Sequence, residues 1–202
     1  MMRLRFLITP LFLALIQVGF TQDKLTEAFK KSYYSEAYQK YDEAIEPIKS
    51  VYSADSYVIN LRMGWLHYAN GDLIESKRYY EKAIELEPKS IEARLGYAYP
   101  INDLLDIEGL KTNYGAILKI DPLHSLANYR MALIFYNQKD FNKAIKYLET
   151  ILSLYPFDYE SLVLMAAVNV GLGNIEAAKS NYRMALLYYP ENVIIIGELD
   201  KL

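Results

Sequence analysis

From residue 57 to residue 192 the apolar positions of the chain recur at spacings of three and four, with polar residues between them. That is the period of a helix with one buried stripe. Asp140 followed by Phe141, Ala144, Ile145 and Leu148 is one instance. A longer period overlies the short one: Pro88, Pro122, Pro156 and Pro190 stand 34 residues apart and close the segments ELEP, KIDP, SLYP and LYYP without a gap. In the same register one column reads Gly64, Ala98, Ala132, Ala166, and the column before it reads Met63, Tyr97, Met131, Met165. A small residue thus follows a large one each time, which lets one helix approach its partner closely. The column Asp72, Asp106, Asp140, Asn174 precedes a helical run, and a second column reads Ser56, Ser90, His124, Asp158, Asn192, its last four members each following a proline turn. These side chains can accept from the orphan amides at a helix start, while the proline and the glycines Gly71 and Gly173 end the run before. Each 34-residue unit therefore predicts two helices. Neither helix can bury its face alone, so the units must stack into one continuous core, as in a solenoid.

Four units follow at 57–90, 91–124, 125–158 and 159–192, and the pattern weakens outside them. Residues 23–56 read as a degenerate repeat, with YDEAIEPIKSVY at 41–52 as its second helix and a spacing to the next unit about two residues short. Residues 193–202, VIIIGELDKL, read as a last helix that caps the stack. The first 21 residues differ from all of this. Arg3 and Arg5 precede an apolar stretch, Phe6 to Phe20, that is 15 residues long. A membrane-spanning helix needs roughly 20 apolar residues, so the stretch predicts a secretory leader, with Gly19 and Thr21 as the small residues before cleavage. An uncleaved anchor and a buried first helix are the alternatives.

The 34-residue period, NLRMGWLHYANGDLIESKRYYEKAIELEP at 60–88 and YRMALIFYNQKDFNKAIKYLETILSLYP at 129–156 resemble the tetratricopeptide repeat. The resemblance implies an all-α fold, a right-handed α-solenoid of helix-turn-helix repeats, whose first helices line a concave face that binds a peptide or a partner's helix. Stepping the register along that face predicts a groove with Trp65, Tyr68, Tyr99, Tyr129 and Tyr136 as anchors, flanked by Arg62 and Arg130 for carboxylates or ring stacking. Leu61 and Trp65 stand where relatives that hold chaperone tails present Lys and Asn, so that function is not implied. Pro100, well inside a first helix, predicts a bend with Gly96 and an exposed carbonyl acceptor beside Tyr99.

Composition narrows the chemistry. The chain has no Cys and two His, so disulfides, thiolate sites and zinc sites lack their residues. His67 falls in a packing column and His124 in a capping column. No Ser, His and acid trio and no glycine-rich phosphate loop is present in the sequence, and 22 basic against 25 acidic residues leave a net charge of −3, without the basic face that nucleic acid requires. Twenty Tyr point the other way, to contact surface with polar tips. The expectation is a non-enzymatic interaction module or assembly scaffold, with no cofactor and no metal, exported to the periplasm or outer surface of a bacterium and taking a protein or peptide partner. Membrane contact would come through the leader or an envelope complex. Two alternatives remain: a structural subunit that oligomerises through a docking patch of Val193, Ile194, Ile195 and Ile196, and a cell-wall carbohydrate binder that stacks sugars on its rings.

Overall fold

The structure, a computed structural model, describes residues 10–202, with side chains from Asp23 onward. Among the described residues there are eleven α-helices and no strand. The expected leader begins outside the described residues; the backbone of 10–21 is the start of helix α1, Pro10–Ala37, and the side chains of Gly19 and Thr21 are outside the description. Of the described residues, no helix is long and apolar enough to cross a membrane. After α1 come α2 (Tyr41–Ser50), α3 (Tyr57–Ala69), α4 (Leu73–Leu86), α5 (Ile91–Asp103), α6 (Ile107–Ile120), α7 (Ser125–Asn137), α8 (Phe141–Leu154), α9 (Tyr159–Leu172), α10 (Ile175–Tyr188) and α11 (Val193–Asp200). Helices α3, α5, α7, α9 and α11 start at 34-residue intervals, and so do α4, α6, α8 and α10.

Local chemistry sets these boundaries. Ser90, Asp106, His124, Asp140, Asp158 and Asn192 each accept from a backbone N–H of the first helical turn, His124 through Nδ1 from Ala127 at 3.2 Å. Ser56, Asp72 and Asn174 depart from the capping expectation, none of the three accepting from an amide of the helix it precedes. Asp72 instead accepts from Asn70 and pairs with His67, and Asn174 donates to Asn169. Within each pair the turn between the helices passes through a left-handed residue, at Gln39, Gly71, Leu105, Lys139 and Gly173. The last four are 34 apart, whereas Gln39 comes 32 before Gly71, so the short spacing of the first repeat lies between the two turns. The turns before α3, α5 and α7 are held by a third device: Asn60 donates to the carbonyl of Ala54, Arg94 to that of Pro88 and Asn128 to that of Pro122, each at 3.0 Å.

The chain divides into two compact units, Met1–Leu104 and Leu105–Leu202. In the first, α1 packs on α2, α3 on α4 and α4 on α5, around a core of Ala28, Ala44, Ile45, Ile48, Ile59, Met63, Leu66 and Tyr79. His67 is buried there, stacked on Tyr79 at 5.2 Å. Tyr80 of α4 is buried against both Gly64 and Gly96, where an added Cβ would strike its ring. That contact revises the reading of α5. The helix is continuous through a buried Pro100, and Gly96 is itself buried under Tyr80, so no exposed carbonyl is presented there. In the second unit α7 packs on α8 and α9 on α10, with α11 against α10. Ile195 joins Leu162, Ala166, Tyr182 and Ala185 in the core of that end, 3% exposed, and so leaves the docking patch expected at 193–196. Consecutive helical residues are about 100° apart, so four in a row cannot all face outward.

Candidate functional site

Helices α1, α3 and α5, with the ring of Tyr80 between them, line a groove of about 810 Å³ in the first unit. Its floor is apolar, from Phe29, Leu61 and Leu95. Tyr33, Trp65 and Tyr99 stand along it with their rings open to solvent, Tyr99 51% and Trp65 37% exposed. The aromatic positions support one another: Tyr99 stacks on Tyr68 at 5.2 Å and meets Trp65 edge-on at 6.4 Å, and Trp65 lies 6.0 Å from Tyr68. Burial is the main cause that raises the Tyr68 phenol above its ordinary pKa, followed by a hydrogen bond with Asp103. Burial also pushes the Tyr80 phenol well up, so both hydroxyls stay protonated at neutral pH.

Arg62 is placed differently from the expectation. It is 6% exposed rather than a free flank of the groove, and its guanidinium is engaged inside the chain. Nη1 pairs with Glu36 Oε2 at 2.6 Å, Nε and Nη2 donate to Ser32 Oγ at 3.1 and 2.9 Å, and the Tyr33 ring covers it at 4.0 Å. A cation taken from water must be paired to be tolerated, and α1 supplies that pairing to α3. Glu36 is shared, because its Oε1 accepts from Trp65 Nε1. On the other side Tyr57 donates to Glu92 Oε2 at 3.1 Å and shares a hydrogen bond with Ser90 Oγ at 2.8 Å.

The remaining groove candidates lie in the second unit. Tyr129 and Tyr136 are seven residues apart on α7 and both are half-buried, while Arg130 is exposed. Burial raises the Tyr129 phenol, and the Tyr136 ring leans on Phe141 at 5.9 Å. At the C-terminal end Val193 and Ile194 are 78% and 74% exposed and Ile196 is less so. Nearby, Phe157, Tyr159, Tyr188 and Tyr189 form a run of rings 5.3 to 5.7 Å apart.

The sequence profile of the tetratricopeptide repeat matches residues 59–90 and 125–158, the pairs α3 with α4 and α7 with α8. Those two segments match the tetratricopeptide repeat. Solved structures of proteins with that repeat have this chain's fold. A tetratricopeptide repeat protein from Parabacteroides merdae ATCC 43184 superposes with a TM-score of 0.78 at 19% identity, over 88% of this chain and 71% of that one. The MamA protein superposes with a TM-score of 0.72 at 17% identity, over 82% of this chain and 91% of that one, and a MamA RS-1 double mutant with 0.74 at 15%, over 85% and 97%. At those identities the likeness shows the fold, an all-α array of helix-turn-helix repeats. No curated protein matches the chain significantly.

Stepping the 34-residue register brings Leu61 and Leu95, and Trp65 and Tyr99, to one groove. What the register did not reach is the contribution of α1. Phe29, Tyr33 and Glu36 line the groove from the degenerate repeat, where no proline column exists to align them. Their spacing of four and three is a helical stripe, the one sequence signal that could have found them.

Proposed function

We propose that this chain is a non-enzymatic protein–protein interaction module, or assembly scaffold, of a bacterial cell envelope. It would hold a peptide or a partner's helix in the groove between α1, α3 and α5. The observation that carries this reading is a preformed groove of about 810 Å³ with an apolar floor and three solvent-open aromatic rings. Exposed rings on a rigid support are the usual anchors of an interface, and a surface ordered beforehand lowers the entropic cost of capture. Tetratricopeptide repeats and solved relatives of the same fold support a scaffold role over catalysis. The envelope location rests on the basic start and 15 apolar residues of the leader pattern.

Capture from native envelope extract tests the reading. The chain from Asp23 onward is the bait, beside a variant with Tyr33→Ala and Tyr99→Ala, both matched for helicity. A protein retained by the first and lost by the second is the expected result. Equal recovery by both would remove the groove as the site. Fractionation of the source cells tests the location, and finding the chain in the cytosol would overturn it.

A second reading has its own observation, the exposure of Val193 and Ile194 on the last helix. It makes α11 the contact of a structural subunit, and a monomeric mass at high protein concentration would dismiss it.

A further inference from the structure

We propose that the groove of the first unit selects a cationic partner: a Lys or Arg side chain on a protein segment, spaced about 10 Å along that segment from a large apolar side chain. This inference rests on the reading of the groove as the partner site. The sequence alone suggested the opposite sign, because Arg62 stood in the groove register and could have received a carboxylate. The structure removes Arg62 from that role. Its donors are spent on Glu36 and Ser32, its face is covered by Tyr33, and it is almost wholly buried. Glu36 is neutralised in the same contact and is further held by Trp65.

Of the charged groups lining the groove, Arg62, Glu36 and Glu92, the first two cancel. Glu92 remains as the uncompensated charge, exposed at the start of α5 with one oxygen accepting from Tyr57. A partner carboxylate would meet that charge and negative ring faces. A partner cation meets a carboxylate and rings whose quadrupoles attract it. Glu92 and Tyr99 are two helical turns apart on α5, about 10 Å along its axis. Leu95 lies between them and gives the methylene stem of a Lys or Arg an apolar path. The apolar anchor then falls at Trp65 and Tyr99, three residues from the cation in an extended segment at about 3.3 Å per residue.

The sequence's one Trp, Trp65, stands on the groove wall and reports occupancy by its fluorescence. The experiment titrates the purified chain with octapeptide pools that fix Leu at one position and Arg, Lys, Gln or Glu three positions before it. Calorimetry runs alongside. The expected result is that Arg and Lys pools bind about five-fold more tightly than the Gln pool, and the Glu pool most weakly. Glu92→Gln, with helicity unchanged, should bring the cationic pools to the affinity of the Gln pool. Equal or tighter binding of the Glu pool, or a cationic preference that survives Glu92→Gln, overturns the selectivity and leaves the groove standing. If no pool of any charge binds by either readout, the groove reading falls and this inference with it.

Discussion

Tyr80 shows how single residues set this fold. Its ring lies against α3 and α5 because both present glycine to it, and it forms a wall of the groove on the same account. Gly96→Ala puts a methyl into the Tyr80 ring, which is buried and already lies tight against Gly64. We expect a loss of about 2 kcal/mol, within the range for overpacking, read from the urea midpoint. Gly173 makes a control of a different kind. A Cβ there meets nothing within 4 Å, but φ is 77°, so Gly173→Ala should cost about 1 kcal/mol through the backbone alone. Equal and negligible effects would remove both accounts. Asp72 carries a pH dependence. Its carboxyl is held below the ordinary 3.8, first by the hydrogen bond from Asn70 and then by His67. A depressed folded-state pKa adds stability that is present above 3.8 and is lost as pH falls through the lowered value. Between about pH 5 and about pH 3 the native chain should therefore lose more stability than Asp72→Asn, the effect being small because the group faces solvent. A larger loss in the variant would refute the assignment.

Helices here are specified at their ends more than along their faces. The capping column was legible because each cap sits at a fixed distance from a proline turn, and six caps fulfil it. Asp72 and Asn174 escape it because an alternative partner, His67 or Asn169, stands within reach on the preceding helix. Such competition between a local amide and a tertiary partner is invisible to spacing. Left-handed turns show the same division: Gly71 and Gly173 announce themselves, whereas Leu105 and Lys139 adopt the conformation with ordinary side chains because the repeat geometry imposes it. Helix α11 separates its four apolar residues by face. Ile195→Ala should destabilise the chain by about 3 kcal/mol, as a buried large-to-small change does. Ile194→Ala, at a site 74% exposed, should change it by less than about 0.5 kcal/mol. Thermal melts of the two variants decide; equal shifts would mean that α11 does not dock as described.

At the scale of the whole chain, repetition makes stability a sum of terms for each pair and its neighbours. Deleting residues 125–158, which removes α7 and α8 in register, should leave a helical protein with a cooperative but lower melt. A product with no helical signal would mean that the chain is closed around one indivisible core. The sequence by itself determined the 34-residue period, the all-α class, the helix starts from α3 onward and the column that carries Trp65 and Tyr99, since these follow from local spacing that every unit repeats. It left open everything that depends on side chains meeting across helices without a repeated pattern. Tertiary structure alone decided that Glu36 and Ser32 of the degenerate repeat consume Arg62. It also decided that Ile195 turns inward, and that Glu92 lines the groove while accepting from Tyr57. The reason is physical: burial and charge pairing are properties of what surrounds a residue, and a one-dimensional register records the residue without its surroundings.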